Sequence, residues 1–155
     1  MDKAQIAQDF AQKIFDFMGS EVKISSETTV DRIRISASLD EAGFLIGRDG
    51  ENLKALQHIL MLMTAKKTGE TLTPFNFVFD INNYQKEKED YLIALAKNSA
   101  HMVAETKKPM ELPPMSAWER KIVHLTIEQI GGVKSESVGE GEERRVVVRP
   151  EIPNY

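Results

Sequence analysis

The sequence predicts an α+β fold, built as an α-β-β-α-α-β unit, then a long helix, then a smaller α/β unit. Three observations carry this. Apolar residues recur at helical spacing, first as Ile6, Phe10, Ile14 and Phe17 and later as Leu53, Leu56, Leu60 and Met63. Between them, Ile33, Ile35, Ala37 and Leu39 alternate with Arg32, Arg34, Ser36 and Ser38, the pattern of a half-buried strand. Glycine and proline then punctuate the chain at Gly19, Gly47, Gly50, Gly69, Pro109 and Gly131, where helices should stop or turn.

The elements follow in order. A helix over 3–18 stops at Gly19. Strands cover 22–26 and 30–39. Asp40 is placed to cap a short helix through Leu45, and a longer helix follows Gly50 and ends in Lys66-Lys67, cations suited to a helix C-terminus. Phe75, Phe77, Phe79 and Ile81 alternate with Asn76, Val78 and Asp80 as a third strand. Asn82-Asn83 reads as a junction and cap, giving expected domains at 1–82 and 83–155. A helix over 84–106, with Tyr91, Leu92, Leu95, Ser99 and Met102 roughly in line, ends before Pro109. Pro113-Pro114 limits 111–115 to a short edge strand. Ser116 and Glu119 form a capping-box pattern for a helix to Ile130. Strands over 133–138 and 144–149 flank a glycine- and glutamate-rich turn and suggest a hairpin.

Composition narrows the function. The chain has 155 residues, 41% hydrophobic and 28% charged, which is globular. Without cysteine it can form no disulfide, thiolate nucleophile or cysteine-ligated zinc site. No apolar run approaches the ~20 residues that cross a bilayer, so a soluble cytoplasmic protein without membrane insertion is expected. The net charge is −4, and residues 1–82 hold 9 basic and 12 acidic side chains against 11 and 12 in 83–155. Neither half coats nucleic acid by bulk charge, so any such site must be local. His58 and His101 have no ligand partner at metal spacing, and no cofactor is expected.

Two places can carry chemistry. Gly47-Arg48-Asp49-Gly50 lies between two helices, where glycines allow a tight turn and a close approach to a ligand. The following helix directs its positive dipole end there, Arg48 can meet a phosphate, and Lys54 adds a second cation. In the other place, Arg120 and His124 are four apart and share a helix face. Arg offers a fork of donors to phosphate, and His can donate or stack. Arg145 and Arg149 share one face of the last strand while Arg144 takes the other; one or two of the three, with Arg145 taken as the site residue, can extend a phosphate-binding surface beside His124, and an edge strand protected by charge is the equal alternative. Trp118 reads as a packing residue rather than a base-stacking one.

The run Phe44-Leu45-Ile46-Gly47-Arg48-Asp49-Gly50-Glu51-Asn52-Leu53-Lys54-Ala55-Leu56-Gln57 resembles the signature of a type II KH domain, specifically that of the bacterial Jag family, also called SpoIIIJ-associated or KhpB proteins. The run Pro114 to Leu125, with Arg120 and His124, is similar to the R-three-H motif, and Ser135 to Val148 resembles the same family's closing hairpin. The resemblance covers 22–150 and implies a type II KH module joined by a long helix to an R-three-H module. It departs at Asp49, where the family usually carries a basic residue; an acid there weakens phosphate binding or favours the helix dipole. Many members carry a further N-terminal domain, so a short member or a piece of a longer one is expected.

The resemblance implies a non-enzymatic binder of single-stranded RNA, with single-stranded DNA as the other candidate ligand. The loop Ile46, Gly47, Arg48, Asp49 and Gly50 with Lys54 would clamp the backbone, as KH loops hold about four nucleotides. Leu45, Ile46 and Leu53 would line the adjoining groove, and Arg120, His124 and Arg145 would form the second site. The implied role is post-transcriptional regulation linked to cell elongation or envelope growth, with a small KH-only protein as partner. The alternative is a protein-interaction scaffold that uses the KH face to form a homodimer. An enzyme is disfavoured, since the sequence holds neither a P-loop nor a Gly-x-Ser-x-Gly elbow.

Overall fold

The computed structural model describes residues 2–152. The chain divides into two compact units, one ending at Lys86 and the other beginning at Glu87. The division falls in the first turn of a helix rather than before it. Among the described residues no helix is long and apolar enough to cross a membrane.

The first unit runs α1 (Lys3–Phe17), β1 (Lys23–Thr28), β2 (Ile33–Ser38), α2 (Gly43–Ile46), α3 (Glu51–Thr68) and β3 (Phe77–Ile81). This is the expected α-β-β-α-α-β order. β1 and β2 pair antiparallel, and β2 and β3 pair parallel with Ile35 opposite Phe79. A parallel pair needs a long crossover, which α2 and α3 supply. Ile33, Ile35, Ala37, Phe77, Phe79 and Ile81 join Phe15, Leu53 and Leu60 in one core. Phe15 and Phe79 meet with ring centroids 6.3 Å apart.

The buried stripe of α1 is Ala4, Ala7, Ala11 and Phe15. Phe10 and Ile14 pack beside it, whereas Phe17 is 95% exposed. Small alanines bring the helix close to its neighbours, and a search for large apolar residues passes over them. β3 begins at Phe77, and Phe75 is half exposed. β3 is buried along its whole length instead of alternating. Its Phe77, Phe79 and Ile81 amides donate outside the ladder, to the Thr73 carbonyl at 3.0 Å, the Gln57 side-chain oxygen at 3.0 Å and Asp80 Oδ1 at 2.9 Å.

Two caps differ from expectation. The helix after Asp40 starts at Gly43 with Ala42 as its N-cap residue and no side-chain cap bond. Asn82 and Asn83 take left-handed φ values of 51° and 59°, and the Asn82 side chain bonds Leu39 N–H and C=O instead. The amides of Gln85 and Lys86 donate to Asp80, at 2.8 and 3.1 Å. Asp80 is fully buried and also accepts from Arg34 Nη1 at 3.3 Å. A carboxylate at a helix N-terminus satisfies donors the helix leaves open and meets the positive end of its dipole.

The second unit comprises most of α4 (Tyr84–Thr106), then β4 (Met110–Glu111), α5 (Ala117–Ile130), β5 (Val133–Val138) and β6 (Arg145–Pro150). The buried residues of α4 are Leu92, Ala96, Ser99, Ala100 and Val103, while Tyr91 and Met102 are more than half exposed. The true stripe is again rich in small residues. The sheet order is β4-β6-β5, all antiparallel, with β4 a two-residue edge as the prolines require. α5 carries the expected capping box: Ser116 Oγ accepts from Glu119 N–H at 3.3 Å, and Glu119 Oε2 accepts from Ser116 N–H at 2.6 Å. Such a cap contributes about 1 kcal/mol. Burial raises the Glu119 pKa, but Lys88 at 2.7 Å and the Ser116 hydrogen bonds outweigh it and hold the carboxyl below its ordinary value. Trp118 packs on the core.

Candidate nucleic-acid interface

The first site is the turn between α2 and α3. Gly47 has φ 75° and ψ −179°, a conformation open only to glycine. A side chain there would press on Asn52, whose Nδ2 donates to Phe44 C=O at 2.6 Å and ties the turn to α2. A single 3-10 turn over Arg48–Gly50 follows, with Asp49 in the left-handed region at φ 53°, ψ 25°. Asp and Asn tolerate that region better than other side chains, so the backbone supplies a reason for the acid that departs from the family's usual pattern. Gly50 is left-handed too and buried against Tyr84. The turn therefore buries Gly50, leaves Gly47 half-buried and leaves Arg48 and Asp49 exposed at the N-terminus of α3, with Lys54 exposed one turn along. Ile46 is partly buried against the core. Leu45 and Leu53 lie wholly in the core, so they cannot line a groove as expected; the exposed apolar side chain beside the loop is Phe44.

The second site stands where α5 crosses the β5–β6 hairpin. Val133 of β5 and Val146 and Val148 of β6 face the core, which puts Ser135 and Ser137 on the same side. His124 lies over these serines. Its Nδ1 is 2.7 Å from Ser135 Oγ and its Nε2 is 2.7 Å from Ser137 Oγ. Burial, then the charges of Arg120 and Arg144, lower the His124 pKa below its ordinary value, which favours the neutral ring. A neutral ring has one donor and one acceptor nitrogen, and a hydroxyl can serve either. One turn earlier, Arg120 Nη1 donates to Met115 C=O at 2.8 Å.

Arg145 stands apart from His124. Its guanidinium meets Glu143 at 3.1 Å and Glu111 at 3.8 Å. Arg149 meets Glu136 at 3.5 Å. After burial and the charge of Arg120, it is the charge of Arg144 that lowers the His124 pKa. Sequence reasoning puts Arg144 on the opposite face to Arg145 and counts it among three arginines that could extend the surface, but singles out Arg145. The run Val146-Val147-Val148 hides which face is the core, since all three are buried. Ser135 and Ser137 also escape the sequence reading, although their two-residue spacing on a strand is a readable sign.

These two sites and their folds define a protein with a KH unit followed by an R-three-H unit. Profile comparison agrees: the "KhpA/KhpB, KH domain" family matches residues 4–73 and the R-three-H domain family matches residues 90–150. The chain belongs to the KhpB family. It is 32% identical over 144 residues to "RNA-binding protein KhpB" of Clostridium symbiosum, covering 92% of this chain and 64% of that protein. It is 30% identical over 150 residues to the protein of the same name in Bacillus subtilis (strain 168), covering 96% and 71%. For that of Streptococcus pneumoniae (strain D39) the identity is 31% over 153 residues, covering 97% and 46%. The chain thus spans between about half and about seven-tenths of the length of these relatives.

Proposed function

We propose that this chain binds single-stranded RNA at both sites and acts by binding rather than by catalysis. The carrying observation is the α2–α3 turn, whose two glycines hold the backbone tightly while Arg48 is exposed beside the N-terminus of α3. A cation and a helix dipole end at one turn favour a phosphate, and KH loops grip nucleic-acid backbone in this way. Affinity comes from the phosphates. Arg120 and His124 hold a second stretch of strand, a reading that the R-three-H match and the relatives' name support. The cellular setting we propose is the cytoplasm, in post-transcriptional regulation tied to cell elongation or envelope growth, with a small KH-only protein as partner.

The test is fluorescence anisotropy of a labelled single-stranded RNA pool across a salt series. Wild type should bind with affinity that falls as salt rises, by a slope of about 0.7 per phosphate contacted. Arg48→Asp keeps both glycines and should weaken binding roughly tenfold, since it turns one attractive charge into a repulsive one. Unchanged affinity in Arg48→Asp, with the fold intact by circular dichroism, would remove the loop from the interface. No binding by the wild type at low salt would remove the RNA reading and leave the scaffold reading in its place.

A further inference from the structure

Two half-buried side-chain amides meet at the outer edge of β3. Gln57 of α3 and Gln85 of α4 both belong to the first unit. Gln57 Oε1 accepts from Phe79 N–H at 3.0 Å and from Gln85 Nε2 at 3.4 Å. A backbone N–H can only donate, so the carbonyl side of Gln57 is fixed toward the strand and its NH2 group is turned away. Gln57 Nε2 then keeps its donors, and Gln85 Oε1 its acceptor sites, without a partner among the described residues. No fully buried side-chain nitrogen or oxygen among the described residues lacks a partner, so both atoms reach solvent. Gly50, Lys54 and Gln57 are spaced four and three apart and fall on one face of α3, and seven residues carry that face about 10 Å from the turn.

We propose that Gln57 and Gln85 form a carboxamide pair that reads the edge of one unpaired base in the strand held by the α2–α3 turn. The inference rests on the RNA-binding reading above and adds base preference to it. Phosphate contacts fix where a strand lies but carry no sequence information, whereas donors and acceptors aimed at base edges do. A carboxamide donor beside a carboxamide acceptor suits a base that offers an acceptor beside a donor on its Watson–Crick edge, which a single strand leaves free. The pair is set before the strand arrives. The Phe79 amide anchors Gln57, and the Gln85 backbone N–H, bonded to Asp80 at 2.8 Å, anchors the start of α4. KH loops hold about four nucleotides, so a strand gripped at Arg48 extends far enough to bring a base to the pair. The charge of Arg48 favours every strand alike, and the pair distinguishes one strand from another.

The experiment measures anisotropy of the whole chain with short labelled homopolymers of adenosine, cytidine and uridine. Wild type should rank the three, with at least about fivefold between the best and the poorest. Gln85→Met leaves the Phe79 bond in place and removes the free acceptor. Gln57→Glu keeps an oxygen facing Phe79 and turns the free donor into a second acceptor. Each variant should bring the best-to-poorest ratio within about twofold or change the order. The negative charge that Gln57→Glu adds lowers all three affinities by one factor and leaves their ratio alone, so the ratio is the quantity read. Gln85→Met should also keep the wild-type salt slope, since no phosphate contact is lost. Circular dichroism checks the fold, and if Gln57→Glu does not fold, Gln85→Met decides alone. The pair is overturned if both variants keep the wild-type ratios. It is overturned as well if wild type binds the three strands equally, a result that leaves RNA binding standing. Should wild type bind none of them, the functional reading fails and the pair fails with it.

Discussion

Asp80→Ala is expected to destabilise the first unit by about 3–5 kcal/mol, the cost of breaking a buried charge pair from one side. The carboxylate is 1% exposed and takes hydrogen bonds from four groups: the amides of Ile81, Gln85 and Lys86 and the guanidinium of Arg34. Alanine removes one acceptor from all four at once, and Arg34 is itself only 19% exposed. Asp80→Asn keeps acceptor capacity but loses the charge, and should fall between wild type and alanine. Denaturant unfolding would read the difference. A loss below about 1 kcal/mol for Asp80→Ala would show that water replaces these bonds, and that the pair is a surface pair in energetic terms.

Gly50→Val should cost about 2–4 kcal/mol and disable the loop together with the fold around it. The backbone at φ 76° is left-handed, which costs a side chain about 1–2 kcal/mol, and more for a β-branched one. A Cβ there would lie 2.9 Å from the Tyr84 ring, so the ring must move or the turn must open. The Tyr84→Ala, Gly50→Val double variant separates the two terms. If steric pressure matters, its Gly50→Val step costs less than in the parent, and a melting series would show it. Equal cost in both backgrounds would assign the whole effect to backbone strain.

Acid should weaken the second unit before the first carboxylates titrate. The folded pKa of His124 lies below its unfolded value of about 6.5, so the unfolded chain takes up the proton first. Stability from this residue is fully present above pH ~6.5 and is lost as pH falls through the folded value. The groups facing the ring are Arg120 from its own helix, Arg144 beside it, and the hydroxyls of Ser135 and Ser137 from β5. Thermal melts from pH 7.5 to 5.5 should show the decline, and His124→Gln should flatten it. The same slope in His124→Gln would place the titration elsewhere.

Much of the fold is legible in the sequence. Element order, the capping box at Ser116 and Glu119, and the GxxG turn all rest on local chemistry, where neighbouring residues decide the outcome. α4 matches its expected span because its limits are local as well, and its expected face holds at Leu92, Ser99 and the half-buried Leu95 but not at Tyr91 and Met102. Alanine and serine carry the close contact in α1 and α4, and small side chains leave no mark in a search for large apolar ones. The acid at the start of α4 escapes for a different reason. Asp80 sits in a strand and reaches a helix that begins four residues later, a contact made by folding rather than by adjacency. Alternation separates Arg144 from Arg145, but three successive buried valines conceal which of the two faces meets the core. Each miss concerns which face an element presents, and that depends on what lies opposite.

The amides of β3 that point out of the sheet all have internal acceptors, one of them the side chain of Gln57 on α3. An open sheet edge is a template on which a foreign strand can crystallise, and chains that expose one invite fibres and mispaired oligomers. Here the motif that frames the nucleic-acid turn also supplies, seven residues after Gly50, the group that seals that edge. A strand arriving on this side of β3 would find the Phe77, Phe79 and Ile81 donors already taken.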